Sequence, residues 1–125
     1  AEAQAELNRE ILVACMVETP EAVRNAAEIA AVPGVDVLLI GTSDLTASMG
    51  IAGQIGHPDV RAAYETVARA CQASGKTLGM GGVYDETHAA AYIKLGARFL
   101  LSGSDHTMLM AGAAARSRFL RGLQG

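Results

Sequence analysis

The sequence predicts an α/β fold in which parallel strands alternate with helices. Four short runs are almost continuously apolar, which is typical of strands covered on both faces, and a helical pattern of small and aliphatic residues follows each run. Strict alternation makes the strands parallel and joins them through helical crossovers. Two architectures satisfy this order: a small open doubly wound sheet, or one half of a (β/α)₈ barrel, since a complete barrel needs about 250 residues.

The predicted strands cover residues 11–17, 35–41, 76–82 and 97–103. The first strand follows ten polar residues of helical character and ends in a charge at Glu18. The other three strands end in glycine-containing turns. The carboxyl ends of parallel strands lie at one edge of the sheet, and ligands bind at that edge in such folds.

The predicted helices have recognisable ends. The first has Thr19 as its N-cap and Pro20 as its first residue, and Pro33 ends it. The second begins at Pro58 and ends at Gly75. Two more helices cover about residues 85–95 and 106–123. The apolar stripe of the first helix contains Val23, Ala26, Ala27 and Ala30, and that of the second contains Val60, Ala63, Tyr64, Val67, Ala68 and Cys71.

The composition favours a single domain, residues 1–125, with an aliphatic core, because half of the residues are apolar and only 4% are aromatic. Ten basic and thirteen acidic residues give a net charge of −3 without any Lys/Arg run, so we expect no nucleic-acid or membrane partner. Cys15 and Cys71 lie inside apolar patterns without metal or redox spacing. We therefore expect reduced core thiols in a cytoplasmic protein.

Two carboxylates follow neighbouring predicted strands. Glu18 comes directly after seven apolar residues, where an unpaired charge is costly to desolvate, and Asp44 follows a Gly-Thr-Ser turn. A divalent cation that prefers oxygen ligands would resolve the repulsion between two close carboxylates. The pattern therefore indicates a metal site with open positions for a substrate carbonyl. The alternatives are a salt bridge or a hydrogen bond to a neighbouring loop for Glu18, and a helix N-cap for Asp44.

Glycine-containing turns at the same edge suggest anion binding. The turn at residues 41–44 allows close backbone approach, so its N–H groups could bind a small carboxylate, although a plain turn is the alternative. Gly81 and Gly82 give a weaker indication of the same kind. His57 is expected to be structural and Asp105 to be an N-cap. The sequence does not provide a convincing Ser/His/Asp triad.

Several segments resemble the HpcH/HpaI aldolase family. MVETPEA at residues 16–22 resembles that family's (I/V)ET-x-EA segment, and IGTSDL at 40–45 resembles its IGPSDLS motif. Similar matches are AVPGVD at 31–36, Met49-Gly50, GHP at 56–58, LGARF at 95–99 and GSD at 103–105. The resemblance covers essentially the whole chain.

The resemblance implies that the chain is the C-terminal half of a (β/α)₈ TIM barrel, its last four βα units. It implies that Glu18 and Asp44 hold Mg²⁺, Mn²⁺ or Co²⁺, and that the backbone of Ser43 and Asp44 binds the carboxylate of pyruvate. The implied enzyme is a metal-dependent (class II) aldolase, a carbon–carbon lyase. It reversibly cleaves a 4-hydroxy-2-oxo acid to pyruvate and an aldehyde through a metal-stabilised pyruvate enolate.

The chain departs from the family pattern at two positions. Thr42 stands where the family motif usually has proline. Met16 shares the side of the strand with Glu18, where many members carry a glutamine that contacts substrate, so Met16 is a candidate substrate-binding residue. The family's catalytic histidine and substrate-binding arginine come from the first half of the barrel. We therefore expect no catalytic residue in this half and little or no activity from the isolated chain.

Two alternatives to an aldolase remain open. A CoA-thioester lyase of the same superfamily would also use a Glu and an Asp on metal, but it typically has a Glu where Ser43 stands. A non-catalytic half-barrel could instead serve as an assembly module. In each case exposed edge strands predict a partner, either the missing barrel half or another copy in a homo-oligomer. The family also tends to exchange its last helix between subunits, which corresponds to residues 108–123.

Overall fold

A computed structural model describes residues 2–123, so the two ends of the predicted domain, residues 1 and 124–125, lie outside the described residues. The strands are β1 (Ala14–Val17), β2 (Val37–Gly41), β3 (Thr77–Gly81) and β4 (Ala97–Leu100). The helices are α1 (Glu2–Glu10), α2 (Pro20–Arg24), α3 (Ala26–Ala31), α4 (Thr42–Ser48), α5 (Pro58–Ser74), α6 (Glu86–Lys94) and α7 (Asp105–Gly122). The predicted α/β alternation is confirmed.

The four strands form one parallel sheet in the chain order β1-β2-β3-β4. Val17 pairs with Ile40 and Ile40 with Met80, so the carboxyl ends of the first three strands lie level. A register shift at Leu78 and Gly79 interrupts the pairing of β3 with β4. A doubly wound sheet reverses its strand order at a switch point, whereas a barrel segment keeps the chain order. The topology is therefore that of a barrel segment.

A single hydrophobic cluster lies between one face of the sheet and the helices. Leu38 and Ile40 of β2 pack in it with Leu78, Met80 and the buried face of α5. The opposite face of the sheet is partly open, and Met16 there is 49% exposed. Further exposed apolar residues beside the sheet are Ile11, Leu12, Val13, Leu100 and Leu101. The core therefore supports the strands from the helical side only.

The long helix α5 confirms its predicted ends and apolar face. His57 is the N-cap, and its Nδ1 accepts a hydrogen bond from the backbone N–H of Asp59 at 3.2 Å, which is a structural role. Gly75 ends the helix in the left-handed conformation, with φ 65°. The predicted apolar residues are buried, except for Ala68, which is half-buried: Val60, Ala63, Tyr64, Val67 and Cys71.

The helix predicted after the first strand is divided in two. Thr19 caps α2 as predicted, accepting a hydrogen bond from the Ala22 N–H at 3.1 Å. Asn25 then adopts φ −90° and ψ 7°, which ends α2 and starts α3. Asparagine favours such positions because its side chain competes with helical hydrogen bonding. The change of direction leaves Ala26 buried but Ala27 exposed, so the predicted stripe was wrong at Ala27.

The capping role predicted for Asp105 is wrong. Ser104 is the N-cap of α7, where its Oγ accepts a hydrogen bond from the Thr107 N–H at 3.3 Å. Asp105 is the first helical residue, and its Oδ1 accepts a hydrogen bond from the His106 N–H at 2.7 Å. Ser and Asp are both good N-caps. Here Thr107 completes a capping box with Ser104, which explains the preference.

The helix α7 has no buried residue. Its exposed apolar side chains include Met108, Leu109, Met110, Phe119 and Leu120. None of the helices in residues 2–123 combines the length and the hydrophobicity that crossing a bilayer demands.

Candidate functional site

Glu18 directly follows β1, and its half-buried carboxylate lies against the end of β2. A Cβ placed on Gly41 would lie 2.6 Å from Glu18 Oε1 and 2.8 Å from its Cγ. Any side chain at position 41 would therefore occupy the space that Glu18 uses. The glycine keeps this carboxylate at the end of β2, where α4 begins.

The first turn of α4 presents two polar residues at the same edge. Ser43 and Asp44 are exposed, whereas Thr42, Leu45 and Thr46 on either side of them are fully buried. Asp44 is the third residue of α4 and Gly41 is its N-cap, so the alternative role of Asp44 as an N-cap is wrong. A carboxylate in the first helical turn is favoured by the helix dipole. The burial pattern therefore holds Ser43 and Asp44 outward at the carboxyl edge of the sheet.

The end of β3 also contacts this turn. Gly82 has φ 78°, and a Cβ placed on it would lie 2.8 Å from Ser43 Oγ and 3.1 Å from the Ser43 backbone nitrogen. Both the backbone conformation and the close approach require glycine. The two glycines, Gly41 and Gly82, thus bring the ends of three neighbouring strands into contact around α4.

Buried hydroxyl groups fix the backbone of the turn. Thr42 Oγ1 lies 2.8 Å from the hydroxyl of Tyr64 on α5. Thr46 Oγ1 donates to the Ser43 carbonyl at 2.8 Å and accepts from the Gly53 N–H at 3.2 Å. These bonds anchor α4 at both of its buried threonines.

The donor set fits a divalent cation. Within residues 2–123 neither Glu18 nor Asp44 has a hydrogen-bond or ion-pair partner, so the salt bridge considered for Glu18 has no partner there. The same residues contain no group of three or more His, Cys, Asp or Glu side chains placed to hold an ion. A Mg²⁺-like ion commonly uses one or two carboxylates and completes its shell with water and substrate oxygens. Glu18 and Asp44 follow neighbouring strands at the same edge of the sheet and are carboxylate ligands of the kind that such an ion uses.

Met16 lies on the open face of the sheet, two residues before Glu18. In register it pairs with Leu39 of β2, which pairs in turn with Gly79 of β3. Its side chain is 49% exposed. The structure therefore leaves Met16 accessible near the Glu18 edge, and its contact with substrate stays a prediction.

An acidic residue and a histidine after β3 form a pair that the sequence did not indicate. Asp85 is the N-cap of α6, and its Oδ1 accepts from the His88 N–H at 2.9 Å and lies 2.7 Å from His88 Nδ1. The hydrogen bond from the His88 backbone, followed by those with its ring, lowers the pKa of Asp85. The ring of His88 packs against Gly56 in the loop before α5. In the sequence, only the spacing of three residues between Asp85 and His88 could have suggested that the two side chains pair.

A cavity of about 470 Å³ opens at the other end of the sheet. It lies between α5 and α6, beside Lys76 and Gly96, which immediately precede β3 and β4. Two of the cations that line it, Lys76 just after the end of α5 and Lys94 at the end of α6, complement the dipoles of these helices. This cavity is therefore separate from the edge formed by Glu18 and Asp44.

A model of the HpcH/HpaI aldolase/citrate lyase family matches residues 2–111. The chain belongs to this family. It is 42% identical over 103 residues to a 4-hydroxy-4-methyl-2-oxoglutarate aldolase of Chaetomium globosum, covering 81% of the chain and 38% of that protein. It is also 42% identical over 108 residues to a 4-hydroxy-2-oxo-heptane-1,7-dioate aldolase of Salmonella paratyphi B, covering 86% of the chain and 41% of that enzyme.

The structural comparison gives the same family. The crystal structure of an HpcH/HpaI aldolase from Desulfitobacterium hafniense DCB-2 matches with a TM-score of 0.82 and 32% identity, over 96% of this chain and 46% of that one. The chain thus spans less than half the length of these relatives. Its four-stranded parallel sheet corresponds to half of a TIM-barrel-like fold, which confirms the predicted fold class and the family resemblance.

Proposed function

We propose that this chain supplies the divalent-metal site of a class II aldolase that cleaves a 4-hydroxy-2-oxo acid to pyruvate and an aldehyde. The observation that carries the proposal is the placement of the Glu18 carboxylate against Gly41, at the strand end from which the Ser43–Asp44 turn emerges. The substrate class is taken from the two relatives, which are named as aldolases of 2-oxo acids.

Each residue of the site has a proposed role. Glu18 and Asp44 would hold Mg²⁺, Mn²⁺ or Co²⁺, and the ion would stabilise the negative charge that develops on the 2-oxo group during carbon–carbon cleavage. The N–H groups of Ser43 and Asp44, in the first turn of α4, would bind the carboxylate of the oxo acid. Met16 would contact the remainder of the substrate from the open face of the sheet.

The cleavage also needs a residue that removes the proton from the substrate hydroxyl and a cation that binds its carboxylate. We assign neither role within this chain, because the family resemblance implies that the histidine and the arginine with these roles lie in the first half of the barrel. The chain covers only 38% and 41% of its two aldolase relatives. We therefore propose that a complementary barrel half supplies these groups, with a homo-oligomer of the assembled unit as the expected quaternary state.

Manganese binding by the purified chain tests the metal site directly. Mn²⁺ is titrated and followed by electron paramagnetic resonance, which distinguishes bound from free ion. We expect Glu18→Gln and Asp44→Asn each to weaken Mn²⁺ affinity by at least about tenfold, because each removes a charged ligand. The controls are Glu21→Gln in α2 and Asp59→Asn in α5, which remove exposed carboxylates from first helical turns.

The controls should bind Mn²⁺ as tightly as the unaltered chain. Equal losses in all four variants would mean that the ion responds to net charge alone and not to a site. No measurable binding by the unaltered chain would overturn the proposed metal site.

A further inference from the structure

Tyr64 lies outside the proposed metal site but is hydrogen-bonded to the turn that forms it. Its hydroxyl on α5 lies 2.8 Å from Oγ1 of Thr42, the first residue of α4. Both side chains are fully buried. Thr42 directly precedes Ser43 and Asp44, so this bond joins the core helix to the exposed part of the turn.

The tyrosine ring is held in place independently of Thr42. It stacks on Tyr92 of α6, with ring centroids 3.8 Å apart and an interplanar angle of 7°. The Tyr92 hydroxyl donates to the carbonyl of Ile55 in the loop before α5. Because α5 and α6 both position the ring pair, the Tyr64 hydroxyl is a fixed point to which α4 is attached.

A buried hydroxyl needs a partner. A phenylalanine at position 64 would fill the same space without desolvating a polar group. With tyrosine, the hydroxyl is paired only with Thr42 among the described residues. Removing the Tyr64 hydroxyl would leave the Thr42 hydroxyl unpaired in the core. An unpaired buried hydroxyl costs free energy, and this cost favours movement of the first turn of α4.

We propose that Tyr64 is a positioning residue that, through Thr42, fixes the orientation of the Ser43–Asp44 turn at the metal site. The inference rests on the proposed function for its consequence, which is metal affinity. Its structural part, the immobilisation of the turn, can be tested separately.

The test variant is Tyr64→Phe in the full 125-residue chain. Mn²⁺ affinity is measured by electron paramagnetic resonance, and amide hydrogen exchange is measured at Leu45 and Thr46, whose N–H groups bond to carbonyls of the first turn in a regular helix. We expect Mn²⁺ affinity to fall by about tenfold, a typical effect of removing a residue that orients a metal ligand. Exchange at the two amides should become faster.

Three further variants separate positioning from general stability. Tyr92→Phe removes a hydroxyl from the same ring pair but has no bond to α4, so it should lower the melting temperature and leave Mn²⁺ affinity unchanged. Thr42→Val should reproduce the loss seen with Tyr64→Phe, and the double variant should bind no more weakly than either single variant, since both remove one bond. Thr42→Ser keeps the hydroxyl and should retain the affinity.

Two results would overturn the proposal. Equal losses of affinity in Tyr64→Phe and Tyr92→Phe would show that the rings act only through stability. Unchanged exchange at Leu45 and Thr46 in Tyr64→Phe would show that the turn does not depend on the hydroxyl. If the unaltered chain binds no Mn²⁺, the proposed metal site fails. The exchange data by themselves then test the positioning role of Tyr64, and faster exchange in Tyr64→Phe supports it.

Discussion

Two glycines determine which side chains can meet at the carboxyl edge of the sheet. Gly41 leaves room for the Glu18 carboxylate, and Gly82 leaves room for Ser43. The two positions differ in backbone conformation, because only Gly82 has a positive φ. Alanine at position 41 should therefore only displace a neighbouring side chain, whereas alanine at position 82 should also strain the backbone.

Replacing Gly41 with alanine should displace Glu18 without straining the backbone. The φ of Gly41 is −83°, which alanine adopts readily, but its Cβ would lie 2.6 Å from Glu18 Oε1. We expect Mn²⁺ affinity to fall by about tenfold, measured by isothermal titration calorimetry. The control is Gly112→Ala in α7, where a Cβ meets no atom within 4 Å. Unchanged affinity in Gly41→Ala would contradict the proposed role of Glu18.

Replacing Gly82 with alanine should destabilise the protein more than replacing Gly75. Both glycines have positive φ, but a Cβ meets Ser43 only at position 82, while position 75 is open. We expect Gly75→Ala to cost about 1 kcal/mol of unfolding free energy from the backbone alone. Gly82→Ala should cost about 1–3 kcal/mol because the contact adds to that strain. Urea denaturation measures the difference, and equal costs would mean that Ser43 moves aside freely.

The sequence predicted the polar residues of the proposed site but not the contacts that arrange them. The placement of Glu18 and Asp44 after neighbouring strands required only the apolar runs and the parallel order. The contact of Glu18 with Gly41 and the Thr42–Tyr64 bond connect elements that lie apart in the chain. In a helical pattern Tyr64 is indistinguishable from its aliphatic neighbours, because periodicity reports burial and not the partner of a hydroxyl.

At the scale of elements, the starts of α2 and α5 were more predictable than the extent of the first strand. Thr19 is the N-cap of α2 as expected, and α5 begins at Pro58 as expected, since these signals act on their own helices. The first strand was predicted to begin at residue 11, yet β1 begins at Ala14, and residues 11–13 are exposed beyond the strand. Apolar character alone could not show that regular pairing with β2 begins only at Ala14, which pairs with Val37. Strand length depends on the neighbouring strand as much as on the residues themselves.

The cap of α6 should make stability depend on pH. Hydrogen bonds from His88 lower the pKa of Asp85 below its ordinary value of 3.8, so the ionised form contributes to stability above that value. The contribution is lost as the pH falls through the lowered pKa. We expect Asp85→Asn to be less stable than the unaltered chain at pH 7, and the difference to shrink below about pH 4. Urea unfolding at both pH values measures it.

A neutral cap provides the control for this pH effect. Thr19→Ala removes the hydrogen bond from the Ala22 N–H, and no ionisation is involved. Its destabilisation should therefore be the same at pH 7 and below pH 4. A gap between Asp85→Asn and the unaltered chain that stays constant with pH would show that the Asp85 charge does not stabilise α6.

At the scale of the molecule, the chain forms its core on one side of the sheet and leaves the other side partly open. Exposed apolar residues occur on the open face and beside β4, and also along α7. Both β1 and β4 are edge strands with free hydrogen-bonding groups. In a barrel of which this sheet forms half, surfaces of this kind would face the other half.

A complementary barrel half should therefore bind this chain and complete the enzyme. The partner to test is the N-terminal half of the 4-hydroxy-2-oxo-heptane-1,7-dioate aldolase of Salmonella paratyphi B, a relative of which this chain covers 41%. Mixing should form a complex seen by size-exclusion chromatography with light scattering, and pyruvate release from a 4-hydroxy-2-oxo acid should require both halves and Mn²⁺. The chain alone should release no measurable pyruvate, because we propose that the complementary half supplies the proton acceptor. Pyruvate release by the chain alone would show that a group within these 125 residues, with His88 as the first candidate for replacement by glutamine, performs the proton transfer.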